Sequence, residues 1–313
     1  MTDRTETRAR LLDGKAAASR IQETLRPRVE RFTQAAGRPP GLGIVLAGDD
    51  PASAVYVRKK VELGQAFGLR VDLDRLPAAA GVDAVLAIVA RLNASPDHDG
   101  ILVQSPLPPG MGADAEQRVV EAIDPAKDVD GLTATSVGRL VQKRPGLVSC
   151  TPAGVIRMLE DEGIAIAGRH AVVVGRSDIV GKPMAMLLLH RDATVTMAHS
   201  RTPDLEAVCR RADILVAAVG RPGLIRAGHV RPGAVVIDVG VNRVTDAAVV
   251  AGLFPEGHRR LEVFRQNGSV LVGDVHPEVE AVAGALTPVP GGVGPLTVTM
   301  LMANTLQAAE AAR

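Results

Sequence analysis

Aromatic residues are scarce in this sequence of 313 residues: they make up 2% of it, with a single tyrosine and no tryptophan. Proteins that bind single-stranded nucleic acids stack the bases on aromatic rings, so the composition disfavours this class. The formal net charge is +1, which leaves no basic excess to neutralise a phosphate backbone. We therefore expect no nucleic-acid partner.

Cysteines and long apolar runs are also few. Cys150 and Cys209 are too few for a disulfide framework, and they indicate a reducing compartment. The first ten residues are polar and charged with no apolar run behind them, so we predict no signal peptide. Residues 281–309 carry no charge, but prolines and glycines fill their first half, and the helical pattern at 296–309 is too short to cross a bilayer. We expect a soluble cytoplasmic protein with no membrane partner.

Apolar runs and amphipathic patterns alternate along the chain. Short β-branched runs predict buried strands at 43–47, 100–104, 171–175, 194–198, 214–219 and 234–239. Helical patterns lie at 16–33, 53–67, 82–93, 152–162, 181–190 and 205–211. Apolar strands separated by helices are typical of parallel sheets covered on both faces, so the predicted fold class is α/β.

The length favours two domains. Thr151 followed by Pro152 has the form of a helix N-cap with proline at the first helical position, which places a boundary near Cys150. Residues 245–274 have the weakest pattern, and we expect a peripheral excursion there, such as a hairpin.

The predicted strand at 171–175 runs into a glycine turn and a helix, which is where open α/β sheets bind phosphate. Gly175, Arg176 and Ser177 form this turn, and Gly181 begins the helix. The common G-x-G-x-x-G spacing is absent, so a tight turn without a ligand stays open as an alternative.

The next predicted strand bears on the choice of cofactor. It ends near Ser200 and Arg201, and no acid stands where NAD-binding domains contact the ribose hydroxyls. Two guanidinium groups, of Arg176 and Arg201, and the Ser200 hydroxyl suit a 2′-phosphate. The sequence therefore favours NADP over NAD, unless these are ordinary surface residues.

Ser53, Tyr56 and Lys60 share one face of a predicted helix. Gln104 ends a buried strand, and Asp130 lies in a turn at 127–131. A lysine near an amide and a carboxylate is a candidate for proton transfer, and a solvated helix face is the competing interpretation. The Tyr/Lys pair also matches short-chain dehydrogenases, but their glycine-rich cofactor turn precedes the pair, whereas here it follows.

Metal ligands are not indicated. The seven histidines show no paired ligand spacing, and no C-x-x-C motif exists, so we predict no metal site. No partner group is suggested for Cys150, which we interpret as a structural thiol.

Eight motifs follow one another along nearly the whole chain. They are LDGK at 12–15, PASxxYVxxK at 51–60, DGILVQ at 99–104, KDVDG at 127–131, CTP at 150–152, GRSxIVGxP at 175–183, VIDVGxN at 236–242 and TPVPGGVGP at 287–295. As a set they resemble the bifunctional methylenetetrahydrofolate dehydrogenase/methenyltetrahydrofolate cyclohydrolase family. No single motif is decisive, but eight in order leave little room for coincidence.

The resemblance implies a folate-binding catalytic domain at 1–151, completed by 288–313, and a Rossmann-like NADP domain at 152–287. It implies that Lys60 is the acid/base of the cyclohydrolase step, tuned by a hydrogen bond with Gln104. Tyr56 would stack on the folate ring system, and Asp130 would hydrogen-bond the pterin. The further substrate contacts implied are Ser53, Pro290, Gly291 and Gly292, and the cofactor contacts are Gly175, Arg176, Ser177, Ser200, Arg201 and Val241.

The implied activity is NADP-dependent oxidation of methylenetetrahydrofolate, followed by hydrolysis to 10-formyltetrahydrofolate. It would serve one-carbon metabolism and purine biosynthesis in a cytoplasmic homodimer. A monofunctional or NAD-preferring dehydrogenase of the same family and a nucleotide-binding regulatory module without turnover stay open. The sequence departs from the family pattern at Ser105, where leucine is usual, and in a longer stretch between Asn242 and Asp274. We expect this insertion to touch neither proposed site directly, while an effect on dimer contacts or a cover over the cofactor stays open.

Overall fold

The structure is a computed structural model that describes residues 8–313, apart from the side chain of Ala52. The described chain forms two compact units: residues 18–153 with 297–313 (the first unit), and residues 8–17 with 154–296 (the second unit). The second unit takes in residues 8–17 and 288–296, which the predicted division placed in the first domain. The former segment lies there because strand β1 (Arg10–Leu11) pairs with Ala285 and Leu286.

The first unit is built on a parallel sheet of three strands in the order β3-β2-β4. Strand β2 (Gly41–Ala47) is buried at all seven residues, as expected for the centre of a covered sheet. Its neighbours are β3 (Arg70–Leu76) and β4 (Gly100–Val103). The helices that begin in this part of the chain are α1 (Gly14–Ala36), α2 (Pro51–Ala66), α3 (Val82–Ala94), α4 (Ala115–Ala122) and α5 (Ala134–Val141), with a 3-10 turn at Pro109–Met111.

The second unit contains a six-stranded sheet in the order β1-β11-β8-β7-β5-β6, and all of its pairings are parallel. Its strands after β1 are β5 (His170–Val174), β6 (Thr194–Ala198), β7 (Ile214–Ala217), β8 (Val235–Asp238) and β11 (Ala285–Leu286). The connecting helices include α7 (Gly181–Leu189) and α8 (Leu205–Cys209). Two parallel sheets with helices between their strands confirm the predicted α/β class.

Helix α6 (Cys150–Asp161) corrects one local prediction. Thr151 was expected to cap this helix, but the helix begins one residue earlier, at Cys150. The Ala153 N–H donates to the Ser149 carbonyl at 3.1 Å, so the first helical hydrogen bond already encloses Thr151 and Pro152. Pro152 fits there because N–H groups in the first turn of a helix have no intrahelical acceptor, so the missing N–H of proline costs no helical hydrogen bond.

The chain between β8 and β11 contains more than the predicted hairpin. Strands β9 (Asn242–Val244) and β10 (Val270–Val272) pair antiparallel, but helices α9 (Ala247–Leu253) and α10 (Arg259–Asn267) lie between them. We call residues 242–272 the excursion. It has a small apolar core of its own, which includes Val250, Phe254 and Leu261.

The C-terminal helix α11 (Val293–Ala311) returns to the first unit from Thr297 onward, which confirms the predicted return. Gln22 Nε2 donates to Thr299 Oγ1 at 2.9 Å. Asn304 Nδ2 donates to the carbonyls of Val129 and Val148, at 2.7 and 2.8 Å. Among residues 8–313, none of the helices combines the length and apolarity that a membrane span needs.

Lys127 closes the carboxyl end of α3. Its Nζ donates to three backbone carbonyls, of Leu92, Asn93 and Ser95, at 3.1, 2.8 and 2.7 Å. Burial lowers the pKa of Lys127, while Asp124 and Asp99 oppose the shift. Because these carbonyls lie at the end of a helix, where the intrahelical donors run out, the lysine has a structural function.

We expect Lys127→Met to lower the free energy of unfolding by about 2 kcal/mol, because charge-assisted hydrogen bonds are lost while the apolar stem is kept. The single tyrosine, Tyr56, lies in the first unit, so its fluorescence during urea denaturation reports this unit. Lys59→Met, at an exposed position, is the control. Equal stability of the two variants would show that the three contacts contribute little.

Candidate active site

Helix α2 presents the predicted lysine and tyrosine. Asp50 fixes its start, because the Asp50 carboxylate accepts the Ser53 N–H at 2.8 Å and Pro51 occupies the first turn. Ser53 is buried, Lys60 is half-buried, and 46% of Tyr56 is exposed. The tyrosine ring is therefore available to a flat ligand, whereas the Ser53 side chain packs inside.

Lys60 and Gln104 are in direct contact. Lys60 Nζ donates to Gln104 Oε1 at 2.9 Å, and Gln104 Nε2 donates to the Ser105 carbonyl at 2.5 Å. The Gln104 backbone N–H donates to Val45 O at 2.9 Å, which continues the parallel ladder one residue past β4. The sheet thus fixes the backbone of Gln104, and the Ser105 carbonyl orients its amide so that the oxygen faces the lysine.

The turn at 127–131 carries two acidic residues with different surroundings, Asp128 and Asp130. The Asp128 carboxylate accepts the N–H groups of Leu132 and Thr133, at 3.1 and 2.8 Å, and is almost fully buried. Gly131 has φ +66°, and a Cβ there would lie 2.6 Å from the Val148 carbonyl carbon, so the turn requires glycine. Asp130 is half-buried and lies within the electrostatic range of Lys60.

Burial raises the pKa of the Asp130 carboxyl, and the nearby Asp128 charge adds to this, while Lys60 and a hydrogen bond from Cys150 oppose it. The Cys150 Sγ lies 3.9 Å from Asp130 Oδ1 and donates to Val129 O at 3.3 Å. Burial raises the pKa of the Cys150 thiol well above its usual value. Cys150 is therefore a protonated structural thiol beside the site and not a nucleophile.

Lys60, Gln104 and Asp130 form one cluster in the first unit, which we call the lysine cluster. It combines a cation with several N–H groups, an amide that fixes the cation, and an acid whose proton affinity is raised. Such a set can hydrogen-bond a nitrogen-rich ring and can carry a proton to or from a bound molecule. The exposed ring of Tyr56 stands one helical turn before the lysine.

A second candidate site lies in the second unit, at the carboxyl ends of its parallel strands. A cavity of about 400 Å³ opens there, lined by Val174, Gly175, Arg176, Ser177, His199, Ser200, Thr202, Leu205, Ala218, Val219, Arg221 and Leu224. We call it the arginine cavity. Its position beside a glycine turn and a helix N-terminus is typical of nucleotide sites in open α/β sheets.

Only glycine fits at position 175. Gly175 has φ +132°, and a Cβ would lie 2.2 Å from the Ala218 carbonyl oxygen. Gly181 is as tightly placed, since its Cβ would lie 2.5 Å from Gly175 O. Ser177 Oγ accepts the N–H groups of Val180 and Gly181 at the start of α7, at 3.2 and 3.3 Å. The turn is therefore folded tightly before any ligand binds.

The arginine cavity brings together four of the six predicted cofactor residues: Gly175, Arg176, Ser177 and Ser200. Arg201 and Val241 are exposed and are not part of its lining. Arg221 lines the cavity but was missed by the sequence analysis. It follows strand β7, and its place just past the end of a third parallel strand is the signal that could have revealed it.

Asp274 holds the loop that carries Arg221. Its buried carboxylate accepts the N–H groups of Val219, Gly220 and Arg221, at 2.7, 3.0 and 2.8 Å, and one from Asn242 Nδ2 at 2.9 Å. Four donors on one carboxylate fix the backbone after β7 in a single arrangement. The first residue of the excursion, Asn242, is therefore tied through Asp274 to the loop that lines the arginine cavity.

Pro290, Gly291 and Gly292 lie in the second unit, in the segment that leads into α11. Gly292 N–H donates to Pro288 O at 2.8 Å. A Cβ at Gly14 would lie 1.5 Å from the Gly292 carbonyl oxygen, so the two backbones pack directly against each other. This contact explains why glycine stands in the motif LDGK at 12–15.

Comparison with known proteins finds relatives along nearly the whole chain. Residues 12–130 match the family model "Tetrahydrofolate dehydrogenase/cyclohydrolase, catalytic domain", and residues 149–313 match that of the NAD(P)-binding domain. The bifunctional FolD proteins of Solibacter usitatus and Koribacter versatilis are both 50% identical to it, over 96% and 97% of this chain and 97% and 98% of theirs. A crystal structure of FolD from Trypanosoma brucei, complexed with NADP cofactor and inhibitor, is similar with a TM-score of 0.86 and 39% identity, over 97% of this chain and 98% of that one.

Buried Asp238, at the end of β8, makes stability depend on pH. Burial raises its pKa to about 8, although the N–H groups of Asp274, Val275 and Gly240 favour the charged form. Between pH 4 and 8 the unfolded chain loses this proton while the folded chain keeps it. The contribution of Asp238 to the free energy of unfolding then falls as pH rises, by up to about 1.4 kcal/mol per pH unit.

We expect Asp238→Asn to remove this pH dependence, because the amide does not titrate. Far-UV circular dichroism during urea denaturation at pH 5 to 8 measures it in both proteins. The variant is less stable throughout, since its amide N–H groups face backbone donors, so the comparison concerns slopes and not absolute values. Parallel pH profiles would contradict a raised pKa at Asp238.

Proposed function

Because this chain belongs to the tetrahydrofolate dehydrogenase/cyclohydrolase family, we propose that it is the NADP-dependent bifunctional enzyme of one-carbon metabolism. It oxidises methylenetetrahydrofolate to methenyltetrahydrofolate and hydrolyses the product to 10-formyltetrahydrofolate. The observation that carries this proposal is the lysine cluster, in which Gln104 holds the ammonium of Lys60 at 2.9 Å beside the acid of Asp130.

The oxidation transfers a hydride from the methylene carbon to NADP. The two nitrogens that flank this carbon stabilise the resulting cation, so the step needs alignment more than a strong acid or base. Tyr56 supplies an exposed ring against which the folate ring system can stack. Asp130 supplies a carboxyl group for the N–H groups of the pterin, which fixes the orientation of the ring.

The hydrolysis adds water to the methenyl carbon and breaks one carbon–nitrogen bond. One proton of the water moves to the released ring nitrogen and the other leaves to solvent, so the cation and water give neutral formyl product and a proton. Lys60 Nζ is the group we propose for these transfers. Gln104 keeps the Nζ in place, because its amide oxygen is itself oriented by the Ser105 carbonyl.

The arginine cavity fits a dinucleotide phosphate. The forced glycine at Gly175 lets the backbone approach an anion, and the N-terminus of α7 follows immediately. Arg176 and Ser200 line the same cavity and would hold the 2′-phosphate, which supports NADP over NAD. Arg221 adds a second guanidinium, which would contact a phosphate of the same molecule.

We also propose that the protein is a cytoplasmic homodimer that associates through its NADP-binding domain. This follows from the likeness to the family and is tested separately by analytical ultracentrifugation. A monomer at micromolar concentration would contradict it without affecting the proposed activity.

Lys60→Met should abolish the hydrolysis and leave a dehydrogenase that accumulates methenyltetrahydrofolate, because the apolar side chain keeps its volume but carries no proton. A spectrophotometric assay with methylenetetrahydrofolate and NADP follows NADPH and the methenyl signal separately. Lys59→Met, on the exposed side of the same helix, should behave as the wild type. Hydrolysis by Lys60→Met at the wild-type rate would exclude this role, and no oxidation by the wild type would contradict the proposed function itself.

Arg176→Gln should raise the KM for NADP about ten- to a hundredfold and change the KM for NAD little, because NAD has no 2′-phosphate to lose a charge-assisted hydrogen bond. Steady-state kinetics with both nucleotides measure the ratio. Arg210→Gln, an exposed arginine paired with Glu206, is the matched control. Equal effects on the two nucleotides would place Arg176 away from the 2′-phosphate.

A further inference from the structure

Arg260, on helix α10 of the excursion, reaches out of the excursion to the segment 287–292. One guanidinium nitrogen donates to the Leu271 carbonyl at 2.6 Å, and the other donates to the Val289 carbonyl. The guanidinium also lies over the Phe254 ring, 5.6 Å from its centroid, and Phe254 stacks on His258. Residues of the excursion thus fix the guanidinium of Arg260, and the guanidinium in turn donates to the Val289 carbonyl outside the excursion.

The guanidinium of Arg260 is partly buried. Burial lowers the pKa of Arg260, with the Asp238 charge opposing the shift. The guanidinium borders a cavity of about 180 Å³, whose wall also includes Asp238, Thr287 and Val289. Hydrogen bonds of a charged donor in such surroundings are stronger than those at an open surface.

Segment 287–292 depends on outside donors for its conformation. Pro288 and Pro290 have no N–H and Gly291 adopts φ +106°, so the strand ladder, in which the Thr287 N–H still donates to the Val236 carbonyl at 3.1 Å, does not continue through this segment beyond Thr287. Its first residue is fixed by the Asp238 N–H, which donates to Thr287 Oγ1 at 2.7 Å. Its last residue packs on Gly14. Arg260 holds the middle, through the carbonyl of the residue that lies between the two prolines.

We propose that Arg260 is a positioning residue: it fixes segment 287–292 in the conformation that contacts the folate substrate. The proposal rests on the proposed function and on the family resemblance, which implies that Pro290, Gly291 and Gly292 contact this substrate. Arg260 contacts Val289, the residue next to Pro290, so the excursion acts on this site indirectly, in keeping with the expectation that it touches neither site directly. The excursion serves, in this proposal, as the support from which the arginine acts.

An arginine is needed because one group must donate to two carbonyls on separate segments. The planar guanidinium offers N–H groups at fixed angles, whereas a lysine ammonium is a single point that cannot reach both acceptors from the same helix. Arg260→Lys should therefore rescue only part of what Arg260→Met loses.

Amide hydrogen exchange of the free protein tests the contact without any assay of activity. In Arg260→Met, the Gly292 amide, which donates to the Pro288 carbonyl at 2.8 Å, should exchange about tenfold faster or more, because the charge-assisted hydrogen bond that holds this segment is lost. Amides of β2 in the first unit provide the internal reference for global unfolding. Arg265→Met removes an exposed arginine of the same helix, paired with Glu256, and should leave segment 287–292 unchanged.

Steady-state kinetics test the consequence. Arg260→Met should raise the KM for methylenetetrahydrofolate about tenfold, Arg260→Lys should lie between it and the wild type, and the KM for NADP should stay within about twofold. Unchanged exchange in segment 287–292 would overturn the contact, and faster exchange with an unchanged KM for folate would overturn the positioning role. If the wild type lacked folate activity, the proposed function would fail, while hydrogen exchange would still decide whether Arg260 holds the segment.

Discussion

Parallel strand pairing is the constraint on which both candidate sites depend. In the first sheet Val45 pairs with Val103, so the residue after β4, Gln104, emerges at the same edge as the turn that leads to α2. In the second sheet Val174 pairs with both Ala198 and Ala217, which aligns the chain at Gly175 with the ends of two neighbouring strands. Residues far apart in sequence meet because parallel strands end together.

Several buried charged side chains in the two units are hydrogen-bonded to backbone groups. Lys127 is occupied by three carbonyls, Asp128 by two N–H groups and Asp274 by three N–H groups and an amide. These groups hold loops at fixed positions. Lys60 and Asp130 differ because their interactions are with each other and with the neutral side chains of Gln104 and Cys150. A site suited to a ligand is one in which side-chain charges are not already used by the backbone.

The sequence was sufficient where apolar runs or motifs carried the information. The strand at 194–198 was predicted to the residue, and the pair of Lys60 with Gln104 followed from the resemblance. Strand β3 was missed because Arg70, Asp72, Asp74 and Arg75 leave it without a continuous apolar run, as suits an edge strand that is half exposed. The contact of Arg260 with Val289 has no local signal, since it depends on how two helices of the excursion pack.

Because of strand β1, completion of the second sheet depends on residues that lie far apart in the sequence. Arg10 and Leu11 pair with Ala285 and Leu286, so two neighbouring strands are separated by almost the whole chain. A fragment that begins at residue 152 would expose the edge of β11, with unpaired backbone groups open to association with another chain. During synthesis, residues 10–11 are made early, and this edge strand stays unpaired until residues 285–286 emerge. Such a high contact order makes completion of this sheet a late folding event.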